Sequence, residues 1–222
     1  VSFDAAALPL KLLGVALPGK PQYQGTFEIV GNAGADGGPW TGTLSARVRG
    51  GELSYRRASG KVEAIQLNNI EARATTAIDG YTASFSTRAT DRTELIASAR
   101  IERGAGDLSA QPLTGSLRLV TNDLGLVPLF VPDIDRAGGR MDAELAAGGT
   151  FGAPEFQGSL RLADGEIDFY RTNLRLRAVA ATLRFVENTL DIDARAQAGE
   201  GRVAVDGRLA WTDGVMSGRI AL

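Results

Sequence analysis

Gly158-Ser159-Leu160-Arg161-Leu162-Ala163-Asp164-Gly165-Glu166-Ile167-Asp168-Phe169 is the stretch that decides how this chain is read. Leu160 and Leu162 alternate with polar neighbours, an Asp-Gly pair follows, and Ile167 and Phe169 alternate again. A period of two is that of a half-buried strand. Asp-Gly between two such runs signals a tight hairpin, because the mirror-image turn needs positive φ at both central residues. The pair recurs at Asp79-Gly80 and at Asp213-Gly214, where Leu209 and Trp211 lead in and Val215 or Met216 follows. Leu183 and Phe185 precede a turn at Glu187-Asn188, and Leu190 and Ile192 follow it. Val203 and Val205 come after Gly199-Glu200-Gly201. From Gly158 onward the pattern predicts about six strands in an antiparallel meander. One face carries Leu, Ile, Val and Phe; the other carries Arg161, Asp168, Arg184, Asp191 and Asp193.

The rest of the chain has the same grammar, with 28 glycines punctuating short alternating runs over 222 residues. At 44% hydrophobic and 23% charged, the composition is that of a folded protein rather than a disordered one. Lys and Arg number 24 against 26 Asp and Glu, so no basic footprint marks a nucleic-acid or charged-membrane partner. Histidine and cysteine are absent. That excludes histidine triads, thiol chemistry, zinc sites and iron–sulfur clusters, and leaves only oxygen-ligand sites open. The longest apolar stretch, Ala5 to Pro18, is interrupted by Pro9, Lys11 and Gly14 and is too short to span a bilayer. A start at Val1 and an end inside a strand at Ala221-Leu222 read as a piece of a longer protein.

Two segments break the alternation. Leu8 to Pro18 and Leu124 to Pro132 are apolar and punctuated by proline, and both read as short helical plugs lying on the sheet. They belong to an internal duplication at an offset of 114, which pairs Leu10 with Leu124, Leu12 with Leu126, Pro18 with Pro132 and Gly25 with Gly139. Gly51, Leu53 and Tyr55 then match Gly165, Ile167 and Phe169. The duplication predicts two trough units, residues 1–115 and 116–222, stacked by strand pairing into one elongated domain.

The order of pieces in the second unit carries a family resemblance. Pro112-Leu113-Thr114-Gly115-Ser116-Leu117 is followed by the plug and by Gly139-Arg140-Met141-Asp142-Ala143-Glu144-Leu145. Gly149-Thr150-Phe151-Gly152-Ala153-Pro154, Gly158-Ser159-Leu160-Arg161-Leu162 and Asp164-Gly165-Glu166-Ile167 come next. This order resembles the C-terminal region of TamB proteins and, more distantly, the AsmA-like group; it covers about 108–222 well and the first half loosely. The resemblance implies an all-β chain whose elongated antiparallel or mixed sheet curls into a trough, a β-taco, with an apolar interior. It implies a parent anchored in the inner membrane of a diderm bacterium and crossing the periplasm. It also implies an outer-membrane barrel partner, TamA, and roles in outer-membrane protein assembly and phospholipid movement. The family brings no catalytic residues and no cofactor.

The physical reading beside it starts from a sheet with one apolar face and too little helix to cover that face. Such a sheet can curl into a groove, and strands of about seven residues, roughly 23 Å long, give width enough for an acyl chain. The expected lining is Leu160, Leu162, Ile167, Phe169, Leu183, Phe185, Leu190, Ile192, Val203, Val205, Leu209 and Trp211. The same alternation describes a closed, dry core, so the groove rests on the whole set together with the resemblance. The expected function is non-enzymatic shielding of lipid acyl chains or apolar, unfolded outer-membrane protein. The alternatives are β-augmentation of barrel clients at an edge strand and a passive structural solenoid. Gly31 to Gly38 lacks the pattern of a calcium or phosphate loop and reads as a plain loop. Asp133, Asp135, Asp142 and Glu144 are the only carboxylate group worth weighing for acid/base chemistry, and the last two read as the solvated side of a strand.

Overall fold

The structure, a computed structural model, describes residues 1–13, 20–35, 37–90, 92–212 and 215–222. Strands β1 (Ser2–Pro9), β2 (Gln22–Gly34), β3 (Thr41–Arg56), β4 (Val62–Leu67), β5 (Ile70–Ala77), β6 (Gly80–Thr90) and β7 (Thr93–Glu102) form the first run. The second run is β8 (Leu113–Thr121), β9 (Ile134–Thr150), β10 (Ala153–Phe169), β11 (Leu174–Val186), β12 (Thr189–Ala198), β13 (Gly201–Thr212) and β14 (Val215–Ala221). All belong to one 14-stranded sheet whose neighbours follow chain order, with β4 set beside β3 and off the main path. Every ladder described is antiparallel, and most are joined by the short loops that only antiparallel neighbours allow. No helix among the described residues is long and apolar enough to cross a membrane.

The predicted turns hold in part. Val186 faces Thr189 across Glu187-Asn188, and Ala198 faces Gly201 across Gly199-Glu200. Asp213-Gly214 lies outside the described residues, although Thr212 and Val215 pair on either side of it. At the Asp79 hairpin the loop is Ile78-Asp79, and Gly80 already pairs with Ala77. Asp164-Gly165 is no hairpin at all. It is a bulge inside the 17 residues of β10, with Asp164 at φ 52 and the register against β9 slipping between Ala163 and Glu166. Ile167 stands an odd number of positions beyond Leu162, so a straight strand would turn them to opposite faces; the bulge restores a common face. Asp-Gly suits both devices, because both need a left-handed backbone. The chain actually reverses after Phe169, which faces Leu174. From Gly158 onward the described chain therefore has five strands rather than six.

β3 carries the matching device. Its pairing with β2 slips between Gly50 and Arg47, which brings Leu53 and Tyr55 onto the face of Val48. Gly25 at φ +111 and Gly139 at φ +126 sit beside these bulges. A Cβ on Gly25 would stand 2.7 Å from Gly51 Cα, and one on Gly139 2.8 Å from Gly165 Cα. Backbones this close, at positive φ, leave room only for glycine. Both pairs lie at the offset of 114 seen in the sequence.

The two plugs sit where ladders stop. A 3₁₀ turn, Leu10–Leu13, follows β1, and residues 14–19 of that plug lie outside the described residues. Its Leu10 is buried with Phe27 and Val48. A one-turn helix, α1 (Val127–Phe130), has Pro128 in its first turn. Its Leu129 is fully buried against Leu53 and Tyr55. Here β5 pairs β3 only as far as Val48, and β8 pairs β9 only as far as Met141. α1 fills the gap between the free ends of β4 and β9. The Tyr55 hydroxyl donates to the Gly125 carbonyl (2.6 Å), and the Ser59 N–H donates to Asp135 Oδ1 (2.8 Å). β3 and β9 are five ladder steps apart, roughly 24 Å on a flat sheet. Contacts this short between the β3–β4 turn and the start of β9 mean that the sheet is curled at this end.

Candidate functional site

Following register from strand to strand exposes the sheet's faces. One row runs Ala5, Ile29, Ala46, Ala72, Phe85, Ala97, Leu117, Leu145, Gly158, Phe185, Leu190, Leu209, Gly218. It crosses every strand except β4 without meeting a polar side chain. A parallel row, Phe3, Gly31, Leu44, Ala74, Ala83, Ala99, Gly115, Ala147, Phe156, is apolar as well. The row next to the first, on the other face, reads Glu28, Arg47, Glu71, Ser86, Ile96, Arg118, Glu144, Ser159, Arg184, Asp191, Arg208, Arg219. Charges of opposite sign meet across strands at Arg47–Glu71 (2.9 Å) and Arg208–Asp191 (2.6 Å). Each such exposed pair contributes little to stability, but together they commit this face to water and fix the register. The hydrogen bond from Arg208 holds the Asp191 carboxyl below its ordinary range.

On the apolar face two cavities join. One, of about 430 Å³, is bounded by Phe3, Leu44, Tyr81 and Ile101; the other, of about 380 Å³, by Phe85 and the methyls of Ala46, Ala72 and Ala97. Leu44, Ala74, Ala83 and Ala99 line both, so they form one groove over β3, β5, β6 and β7. Its floor is alanine. Short side chains leave the space empty where leucine would fill it, and the larger residues stand at its borders as walls. Phe3, Leu44 and Tyr81 remain 38–49% exposed, so nothing described in the chain covers them.

Of the expected lining residues, Leu160, Leu162, Ile167, Phe169, Leu183, Phe185, Leu190, Ile192, Val203, Val205 and Leu209 are all half-buried. The side chain of Trp211 lies outside what is described. Leu160, Leu183 and Ile192 are consecutive partners in one row, as are Leu162, Ala181, Ala194 and Val205 in another. Arg161, Arg184 and Asp193, on the opposite face, are exposed. The second-half set thus shares a face with the alanine groove of the first half, which the sequence reading passed over. Alanine among Ser, Thr and Gly announces neither core nor surface, and only the register collects Ala46, Ala72, Ala74, Ala83, Ala97 and Ala99 in one place.

The weighed carboxylates do not gather. Asp133 pairs with Arg171 (3.4 Å), Asp142 with Arg140 (2.9 Å) and Glu144 with Arg118 (3.8 Å), while Asp135 accepts from Ser59. Among the described residues no three acidic side chains are placed to hold a metal ion. Gly31 to Gly34 belong to β2, and Asp36 lies outside the described residues.

Comparison with known proteins places this architecture. No curated protein and no solved structure matches the chain. A family model described as TamB, N-terminal domain, matches residues 1–162. The sequence motifs pointed to the C-terminal region of such proteins, whereas the match takes in the whole first half, where they were loosest. The hairpin grammar repeats along this chain, so it does not single out one region. TamB is a transport and assembly family rather than a family of enzymes, and its members are envelope proteins. This chain, matched over most of its length, belongs to the TamB family.

Proposed function

We propose that this chain is a length of conduit whose apolar face shields lipid acyl chains, or an apolar stretch of client polypeptide, on the way to the outer membrane. The observation that carries the reading is the apolar row crossing thirteen strands, with no second layer over it among the described residues. A sheet face of this kind is normally buried against helices or another sheet. Here the described parts of the plugs cover one end only, and the alanine floor leaves a groove that each buried methylene would enter with a gain of about 0.8 kcal/mol. In this reading the residues from Leu160 to Trp211 continue the same lining, and 1–115 and 116–222 are successive units of one trough. The matching bulges and glycine pairs at an offset of 114 support that division. The periplasm, an inner-membrane anchor on the parent and the barrel partner TamA are part of the same proposal, and membership of the family supports them. The β-augmentation alternative has one observation in its favour: β1 and β14 each pair on one side only among the described residues. Arg219→Pro in β14 would harm that activity and spare the groove.

The test fills the floor. Ala74 and Ala83 face each other and are both exposed on the apolar face. Leucine at both positions occupies the groove, and the expected result is a several-fold loss of phospholipid uptake from vesicles with stability changed by no more than about 1 kcal/mol. Undiminished uptake would overturn the groove. A loss of about 1–3 kcal/mol in stability instead would mark an overpacked, dry core.

A further inference from the structure

Arg103 stands at the rim of the alanine groove without a counter-ion among the described residues. It lies two residues beyond Ile101, so strand alternation carries its side chain to the groove face. Its guanidinium stacks 4.8 Å above the Tyr81 ring centroid, and its Nη2 donates to Thr76 Oγ1 at 3.1 Å. Both partners line the groove. Its Nε is shut off from solvent and meets no acceptor, and no carboxylate among the described residues pairs with the side chain. Asp79, whose backbone carbonyl accepts from the Arg103 N–H (2.9 Å), commits its carboxylate to Arg100 at 2.7 Å. That ion pair keeps the Asp79 carboxyl ionised, below its ordinary range. Glu102 alternates to the other face. The guanidinium is therefore held by one ring and one hydroxyl and is partly desolvated, with its charge unneutralised among the described residues. This is the arrangement in which an arriving anion gains most, because a guanidinium offers its donors to phosphate or carboxylate as a planar fork.

We propose that Arg103 is the head-group anchor of the groove and that the occupant is an amphiphile with an anionic phosphate head. The head sits at the Thr76–Tyr81–Arg103 rim and the tail lies over Ala83 and Ala99 toward Phe85. The plugs lie at the far ends of the strands, so this rim is the side left open for the head to reach water. The proposal rests on the groove reading and adds to it an orientation and a preference for charge.

The experiment uses the chain with and without Arg103→Gln and measures binding of three probes by calorimetry: dodecyl phosphate, neutral dodecyl maltoside and inorganic phosphate. The expected result is that Arg103→Gln weakens dodecyl phosphate by about tenfold or more and leaves dodecyl maltoside unchanged. Added salt should weaken dodecyl phosphate for the parent chain only. Equal losses for both amphiphiles would show that Arg103 merely braces the Tyr81 wall, and would overturn the proposal. Inorganic phosphate binding as tightly as dodecyl phosphate would overturn it too, reducing the site to a bare anion site. Two unaffected amphiphiles would keep the groove and remove the anchor. If neither amphiphile bound the parent chain, the groove itself would fall.

Discussion

Replacing Leu129 by alanine tests how the plug holds the curled end of the sheet. Leu129 has no exposed surface and packs on Leu53 and Tyr55, with Ile65, Leu67 and Leu126 around them. Truncation removes methyl and methylene groups worth about 0.8 kcal/mol each, roughly 2.4 kcal/mol in transfer alone. A rigid surrounding would add a cavity term and bring the cost toward about 5 kcal/mol. The plug is not rigid in that sense. It is a single turn with Pro128 inside it and Pro132 just beyond, anchored by Leu129 and by the buried Leu124. It can settle into part of the space, so the expected loss is about 3 kcal/mol. Urea unfolding of both chains, followed by circular dichroism, measures it as a lower midpoint at unchanged slope. A loss below about 1 kcal/mol would show that the plug contributes nothing to closing the end, and the reasoning from its burial would fail.

Gly139→Ala should cost about 2 kcal/mol, because φ is +126 and the new methyl would stand 2.8 Å from Gly165 Cα. Gly148→Ala, with no atom within 4 Å of the new methyl, should be neutral or slightly stabilising, and thermal unfolding of the two variants compares them directly. At Asp135 burial pushes the carboxyl up, but hydrogen bonds from Ser59 and the charges of Arg57 and Lys61 outweigh it and bring the group below its ordinary 3.8. A carboxyl that is more acidic folded than unfolded stabilises fully above its unfolded value, about 3.9, and loses that contribution as pH falls through the folded value. The parent chain should therefore lose stability below about pH 4 that Asp135→Asn does not lose; superimposable acid profiles would contradict the role of the Ser59–Asp135 contact.

Much of this architecture is legible in the sequence because a sheet with one wet face writes its pleat into the chain. Leu183, Phe185, Leu190 and Ile192 announce two strands and the turn between them, and the turn is where the glycine-free pair Glu187-Asn188 places it. Asp164-Gly165 misleads for a physical reason. The dipeptide reports a left-handed backbone and says nothing of whether the chain reverses there or merely slips its phase. The parity of Leu162 and Ile167 fits a turn and a bulge equally, and only pairing with Gly138 and Ala137 of β9 distinguishes them. The alanine floor is illegible in one dimension, since its six residues come from four strands and none is distinctive alone. Arg103 is likewise ordinary in the sequence; its significance depends on Tyr81 and Thr76 arriving from neighbouring strands.

The central claim is that the apolar face is occupied in the cell and the polar face is not. The most direct measurement is in-cell photo-crosslinking, with the probe residue placed at Ala83, Leu160 and Ile192 and, on the opposite face, at Ser84, Arg161 and Asp191. The expected result is lipid adducts at the first three positions and none at the others. Adducts on both faces alike, or none at the first three positions, would contradict the claim; a protein client captured there in place of lipid would keep the face occupied and make polypeptide the cargo.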